Sequence, residues 1–274
     1  MSIQVSLPAL MAIDEMNHRL YISRFMPMGG MSTEAMEVHQ INTETMTVLG
    51  TVNVGANSPH GIALSDDGGT LWVSSNQASH FFKIDTDRFG DSNYQPESFK
   101  IASGVPDNFE INDGIYEPLE IELSIDESQI FISCSDSEKN QVRVYSADTG
   151  DSLTIYSINE GMGMIPWHIA VVPDGSGLYI TNRSMMSPRV SYINFSDGNV
   201  TQIESSEFDF PHGIGISSDG SKVFVSSSAM MTGGNSYLHI INTSINEVES
   251  SILLGEGLAA TGLAVMQTTC ENCD

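Results

Sequence analysis

The chain is poor in basic residues. Only 10 of its 274 residues are Lys or Arg, against 35 Asp and Glu, so the formal net charge at pH 7 is −25. Nucleic-acid affinity depends largely on Lys and Arg side chains that displace counterions from phosphates. Anionic membrane surfaces attract the same side chains. The composition therefore predicts no nucleic-acid partner, and the acidity is interpreted as a contribution to solubility.

Cysteines and long apolar runs are also scarce. Three Cys residues are too few for a disulfide scaffold. No stretch reaches the roughly 18 apolar residues that a membrane-spanning helix needs. The N-terminal segment MSIQVSLPAL lacks the basic and apolar regions of an export signal. We therefore expect no membrane insertion and no signal peptide in this chain.

No segment shows a convincing helical periodicity. The chain contains a sequence repeat instead. The phrase PHGIALSDDGGTLWVSSN begins at Pro59, versions of it begin at Pro118, Pro166 and Pro211, and a weaker copy begins at Pro8. Successive starts are 45 to 59 residues apart. Repeats of roughly 40 to 50 residues are typical of β-propeller blades. Within each phrase apolar residues alternate with period two around Asp-Gly or Asp-Glu turns, which predicts short antiparallel strands.

Each unit is predicted to contain four strands. For the second and fourth units these are residues 62–64, 71–74, 81–85, 98–102, 169–172, 178–181, 190–194 and 200–204. Four-stranded units repeated around an axis form a β-propeller, an architecture that protects strand edges by radial repetition. The prediction is an all-β propeller of five full blades in one domain, residues 1–268, followed by a Cys-containing tail, residues 269–274.

Two further segments bear on closure of the ring. Residues 260–268, ATGLAVMQT, have the pattern of the first strand of a sixth unit, and residues 3–5 add one strand pattern at the other end. The prediction is five blades plus one extra strand, or a ring completed to six or more blades by further sequence or a partner. An incomplete ring predicts self-association through open strand edges.

The repeat resembles the YVTN-type β-propeller repeat. The phrases that carry this resemblance are PHGIALSDDGGTLWVSSN and PWHIAVVPDGSGLYITNR, and the resemblance covers nearly the whole chain. It implies the propeller fold and leaves the function open, because one fold hosts many activities. Some propellers of this type resemble lactone hydrolases that hold a divalent ion in the channel. That resemblance implies a minor reading as a hydrolase, with Glu120, Asn76 and Asn182 as candidate ion ligands.

Ionisable residues recur where successive units begin. The first strand of each propeller blade lines the central channel, which places His60, Glu120, His168 and His212 at the channel mouth. Imidazole and carboxylate groups that converge on an axis can bind a transition metal or act as general acid and base. The alternative is that each His belongs to the blade-start turn and bonds a neighbouring carbonyl. His168 and Glu120 lie one position later in the repeat than His60 and His212, which predicts different side-chain directions.

Methionines are concentrated on the same face of the predicted propeller. The ligand or partner residues predicted for this face are Met26, Met28, Met31, Met162, Met164, Trp167, Met185, Met186, Met230 and Met231. Thioether and imidazole ligands together suit copper, above all Cu(I). Flexible Met side chains also make an adaptable apolar surface for a ligand or protein. A third interpretation is that they only fill gaps between loops.

No catalytic motif accompanies these residues. The sequence contains no Gly-x-Ser-x-Gly elbow and no phosphate-binding Walker loop. Cys270 and Cys273 are interpreted as a small terminal disulfide or as free thiols. The sequence thus favours a non-enzymatic binding or scaffold protein that presents a Met/His-rich face to a small ligand, metal ion or protein partner. The alternative is a copper- or other metal-dependent oxidoreductase. A periplasmic or extracellular location is expected, with a cytoplasmic one left open.

Overall fold

A computed structural model describes residues 5–24, 36–108, 115–136, 138–158 and 165–266. Within these ranges the regular structure is β-strand, apart from a short 3-10 turn at Thr86–Arg88. No helix in the described ranges is long and apolar enough to cross a membrane. The chain divides into two compact units, Met1–Ile155 and Tyr156–Asp274. The single domain over residues 1–268 stays a prediction.

The first unit contains the strands of three four-stranded sheets. Each sheet is antiparallel and joins its strands in chain order. The strands are β1 (Pro8–Asp14), β2 (Arg19–Arg24), β3 (Glu37–Asn42), β4 (Thr47–Asn53), β5 (Pro59–Leu64), β6 (Thr70–Ser75), β7 (His80–Asp85), β8 (Glu97–Lys100), β9 (Pro118–Leu123), β10 (Gln129–Cys134), β11 (Gln141–Ser146) and β12 (Ser152–Ser157), the last of which continues into the second unit.

The second unit adds two sheets of the same design. Their strands are β13 (Pro166–Val171), β14 (Gly177–Asn182), β15 (Arg189–Asn194), β16 (Val200–Ile203), β17 (Pro211–Ile216), β18 (Lys222–Ser227), β19 (Asn235–Asn242) and β20 (Glu247–Glu256). The five sheets are the five predicted propeller blades, numbered here one to five in chain order. The all-β prediction is confirmed, and every predicted strand of blades two and four overlaps an observed one.

The first strands begin three residues earlier than predicted. In blade two Pro59 pairs with Ser75, and the register then shifts before Ile62 pairs with Val73. Blade four repeats this arrangement after Pro166. A bulge of this kind breaks the period-two alternation, which explains why the apolar pattern alone placed the strand starts too late.

A hydroxyl in the second strands of blades two and four connects neighbouring first strands. Ser74 Oγ accepts a hydrogen bond from the Gly61 N–H at 3.1 Å and donates one to the Leu119 carbonyl at 3.0 Å. In blade four Thr181 Oγ1 accepts from the His168 N–H at 3.1 Å and donates to the His212 carbonyl at 2.9 Å. The Ser or Thr of the repeat therefore satisfies backbone groups that the bulge leaves out of the ladder.

The apolar core lies between successive blades. In the first unit one cluster joins Tyr21 of blade one to Ile62 and Phe82 of blade two. A second cluster joins Trp72 of blade two to Ile121 of blade three. Inside the second unit blades four and five pack in the same way. Blade two, which has a neighbour on each side within the first unit, thus buries both faces of its sheet.

The end blades differ from the others. Met11 and Ile13 on β1 are 66% and 56% exposed, whereas Ile62, which matches Met11 in register, is 5% exposed. At the other end, residues 260–266 form no ladder hydrogen bonds but run beside β17. A Cβ on Gly213 would lie 3.0 Å from Leu263 N, much as one on Gly61 would meet β9. The predicted extra strand therefore lies where the first strand of a sixth blade would run, and self-association stays a prediction.

Candidate functional site: the mouth of the blades

Each blade places the start of its first strand beside the end of its second strand. Pro59 pairs with Ser75, Pro118 with Cys134, Pro166 with Asn182, and Pro211 with Ser227. The loop that follows each second strand therefore leaves from the same end. We call this end of a blade its mouth and the opposite end, with the Asp-containing turns, the turn rim.

The backbone at the mouth is strained. Ser58, Glu117 and Phe210 each precede the first Pro of a blade and have φ values of 55°, 47° and 46°. This left-handed region is costly for residues other than Gly and persists only where the surrounding structure enforces it. The strain therefore belongs to the repeated construction of the mouth and fixes the direction from which each first strand starts.

Three predicted residues come together at the mouth of the second unit. The Trp167 indole Nε1–H donates to Nε2 of His212 at 3.1 Å. The ring centroids of His168 and His212 are 5.0 Å apart. Their one-position offset in the repeat does not separate them, because the rings come from different first strands and the bulge alters side-chain direction. An indole N–H can only donate, so His212 accepts at Nε2 and is a neutral imidazole with its proton on Nδ1.

His168 is the buried member of this group. Burial, together with the nearby positive charge of Arg183, lowers the pKa of His168 to about 3. The side chain is therefore neutral at physiological pH. A neutral imidazole still offers one donor and one acceptor, so His168 suits ligand recognition better than acid catalysis near pH 7.

Arg183 is a member of the site that sequence reasoning missed. Its guanidinium lies over the Trp167 ring, 4.6 Å from the centroid, and 5.7 Å from the centroid of Phe210. Burial lowers the pKa of Arg183, but an Arg side chain stays charged in proteins. A comparison of repeats would have found it, because blades two, three and five carry Asn76, Ser135 and Ser228 at this position. Trp167, His168, Arg183 and His212 together are called the Trp–His–Arg cluster.

The mouth of the first unit contains the other two predicted ligands. His60 is buried, and its backbone carbonyl accepts a hydrogen bond from Ser23. Glu120 is also buried, and its N–H donates to Ser133 Oγ at 3.0 Å. Burial raises the pKa of Glu120 and of Glu122 well above the usual value, and the charge of Glu120 raises that of Glu122 further. Both carboxyls are thus biased toward the protonated form.

The predicted metal ligands are His60, Glu120, His168 and His212. Of these, His168 and His212 lie together in the second unit. In the part of the chain that the structure describes, no group of three or more His, Cys, Asp or Glu side chains is arranged to hold a metal ion. The four-residue ligand set stays a prediction.

The predicted methionine face is described in part. Met185 and Met186 follow Arg183 in the loop after β14 and are 74% and 91% exposed. Met230 and Met231 lie in the loop after β18 and are also exposed. The other predicted members, and the two terminal cysteines, lie outside the described residues: Met26, Met28, Met31, Met162, Met164, Cys270 and Cys273.

The turn rim has a different chemistry. Asp126 and Asp219 are exposed and accept hydrogen bonds from serines two residues away on both sides, which lowers the pKa of each to about 2.

An open groove of about 720 Å³ in the second unit is lined by residues 201–207 and 245–251. None of these lining residues belongs to the Trp–His–Arg cluster.

Comparisons with known proteins bear on the fold. No protein-family model and no curated protein matches the sequence. The structure is similar to hydrazine synthase of Kuenenia stuttgartiensis, with a TM-score of 0.55 and 13% identity over 95% of this chain and 90% of that one. It is also similar to a protein of Lactobacillus plantarum, with a TM-score of 0.64 and 19% identity over 93% of this chain and 72% of that one.

A third similar structure is the Dos1 propeller. Its TM-score is 0.62 and its identity 18%, over 90% of this chain and 58% of that one. Identities this low bear on the fold alone. The similarity supports the β-propeller fold, while the resemblance to the YVTN repeat stays a prediction.

Proposed function

We propose that the chain is a non-enzymatic β-propeller that binds a small ligand on its Met/His-rich face. The observation that carries this proposal is the packing of Trp167, His168 and His212, with the indole hydrogen-bonded to an imidazole at 3.1 Å. Aromatic and imidazole rings combine flat apolar faces with polar edges. Ligand sites in proteins are built from such apolar surfaces and a few placed polar groups.

The exposed methionines of the second unit support the same proposal. Met185, Met186, Met230 and Met231 leave the ends of β14 and β18, the strand ends that pair with the starts of β13 and β17. Large apolar side chains exposed in loops offer contact area to a partner, and flexible thioethers adapt to its shape. The proposal therefore also includes a protein partner that binds these exposed methionines.

A metal-dependent function is the second candidate. The adjacent imidazoles of His168 and His212 favour it, since imidazole and thioether ligands suit copper and a copper site would support an oxidoreductase. The lone pair of His212 Nε2 already accepts a hydrogen bond from the Trp167 indole N–H. A metal ion would therefore have to break the indole hydrogen bond, either by binding Nε2 itself or by binding Nδ1 after the imidazole proton has moved to Nε2. The lactonase-like alternative has less support, because burial biases Glu120 toward the protonated form.

Elemental analysis and calorimetry of the purified full chain test these proposals. We expect saturable binding of at least one of three small aromatic probes: benzoate, benzamide and benzyl alcohol. Changing Trp167 to Phe or His212 to Ala should weaken that binding about tenfold or more, the loss expected for a central contact. Met16→Ala is the matched control for Met186→Ala, because both side chains are 91% exposed and Met16 lies in the first unit.

Two results would change the conclusion. Stoichiometric copper that disappears in His212→Ala would replace the proposal with a metal-dependent oxidoreductase. Binding that is unchanged when Met185, Met186, Met230 and Met231 are all changed to Ala would remove the methionines from the site.

A further inference from the structure

Arg183 differs from the other two basic residues of the second unit in its partners among the described residues. That unit contains three basic side chains: Arg189 pairs with Glu204 at 3.0 Å, and Lys222 pairs with Glu249. Among the described residues no carboxylate pairs with Arg183. Its Nε is buried without a hydrogen-bond acceptor in that part of the chain. The side chain is half-buried. Partial burial of a cation without a counter-charge is costly, and here it occurs in a chain with 35 acidic residues.

The fold itself does not require an arginine at this position. Blades two, three and five have Asn76, Ser135 and Ser228 at the same point of the repeat, directly after the residue that pairs with the first Pro. Those blades form the same four-stranded sheets with a small neutral side chain there. The guanidinium is therefore available for a role other than holding the blade together.

Aromatic rings lie close to the guanidinium of Arg183. Its central carbon lies over the Trp167 ring, 4.6 Å from the centroid, and 5.7 Å from the centroid of Phe210. The N–H donors of a guanidinium lie in its plane and match the two oxygens of a carboxylate. The ring contacts therefore do not use up the hydrogen-bonding capacity of the cation.

The Trp–His–Arg cluster carries one positive charge, that of Arg183. His212 is neutral because its Nε2 accepts a hydrogen bond from the Trp167 indole N–H, and His168 is neutral because it is buried. The cluster itself contains no Asp or Glu. A monoanion balances the one positive charge, whereas a dianion such as phosphate would add an uncompensated charge to a chain already at −25.

We propose that the Trp–His–Arg cluster binds a small monocarboxylate with a flat apolar body. The carboxylate pairs with the edge of the Arg183 guanidinium, and the apolar body contacts Trp167 and the neighbouring Met185 and Met186. This inference rests on the proposed small-ligand function and specifies the class of ligand.

Calorimetry at pH 7 with two probes of the same shape tests the proposal. Benzoate should bind about tenfold more tightly than neutral benzamide, as expected for a charge-assisted bidentate contact. Arg183→Asn, which introduces the residue that blade two uses at this position, should weaken benzoate binding about tenfold and leave benzamide binding unchanged. Lys222→Gln removes the same charge from the same unit at a paired site and should change neither affinity by more than about twofold.

The outcomes separate this inference from the proposed function. Equal binding of benzoate and benzamide, or benzoate binding that survives Arg183→Asn, would overturn the carboxylate assignment and leave small-ligand binding in place. If neither probe nor benzyl alcohol binds, both proposals fail. Unchanged circular dichroism and melting temperature in Arg183→Asn would show that a loss of binding is not a loss of folding.

Discussion

The mouth and the turn rim of the repeat favour opposite charge states of their ionisable side chains. At the rim, Asp126 and Asp219 are exposed, and serine hydrogen bonds stabilise their charged forms, with pKa values of about 2. At the mouth, burial lowers the pKa of His168 to about 3 and raises that of Glu120, so the neutral forms are favoured. The rim therefore contributes charge and solubility, and the mouth removes charge. Against that background Arg183 keeps a positive charge at the mouth of blade four without a carboxylate partner among the described residues.

The largest effect expected from this difference is a loss of stability in mild acid through His168. The unfolded side chain has a pKa near 6.5, and the folded one takes up a proton only near pH 3. The unfolded state therefore binds more protons between these values, and stability falls as the pH drops from 6.5 toward 3. At pH 4 the expected loss is about 3 kcal/mol, measurable by urea unfolding between pH 7 and pH 4.

His168→Gln provides the control for this prediction. It removes the titrating group, so stability should depend less on pH in the same window. Part of the slope will persist, because burial also lowers the pKa of His239 to about 4. An identical slope in the parent and His168→Gln would show that His168 does not keep its neutral form on folding.

A smaller effect is expected from the hydroxyl bridge behind the mouth. Ser74→Ala removes a side chain that satisfies the Gly61 N–H and the Leu119 carbonyl, both in a buried setting. Each unsatisfied buried group costs about 1 to 3 kcal/mol. Thermal and urea unfolding should show a loss at the upper end of this range or above.

Ser226→Ala is the matched variant for Ser74→Ala. Ser226 holds the same position in blade five and accepts from the Gly213 N–H at 3.0 Å, but no further bond from its hydroxyl to the described residues is present. Its loss should destabilise the chain by about half as much as that of Ser74. Equal effects would mean that the bond to the next blade contributes nothing.

The smallest effect is expected at the turn rim. Asp219 accepts bonds from Ser217 and Ser221, and Asp219→Asn keeps the shape while removing the charge. Because the folded pKa of about 2 lies below the unfolded value, the stability that this Asp contributes is present above pH 4 and lost as the pH falls toward 2. The variant should be slightly less stable than the parent at pH 7 and nearly equal to it at pH 2. A difference between parent and variant that already begins to shrink near pH 6 would contradict this assignment, because acid sensitivity in that range belongs to His168 at the mouth.

The strands were predictable because their signals are local. Period-two alternation and Asp-Gly turns occur within a few neighbouring residues, so the strands around Leu71 and Leu178 follow from sequence alone. The starts of the first strands do not, because the bulge after Pro59 interrupts the alternation and is recognised only from its partner, Ser75. Pattern reasoning therefore identified the blades but not the geometry of their mouths.

The candidate site divides in the same way. Trp167, His168 and His212 were predicted from their places in the repeat, since the start of a first strand implies a position at the mouth. Arg183 was not predicted, because what distinguishes it is its contact with the Trp167 ring and the absence of an acidic partner among the described residues. These are relations between strands, and a single strand's sequence does not contain them.

The sequence by itself determined the repeated four-stranded unit, the acidic surface and the scarcity of basic side chains. The tertiary structure decided which rings meet, which imidazole nitrogen accepts a hydrogen bond and which cation has no carboxylate beside it among the described residues. The physical reason is that strand formation depends on residues two positions apart, whereas the charge state of a side chain depends on burial and on neighbours from other strands. The −25 charge was visible in the sequence; the single positive charge placed among neutral rings was not.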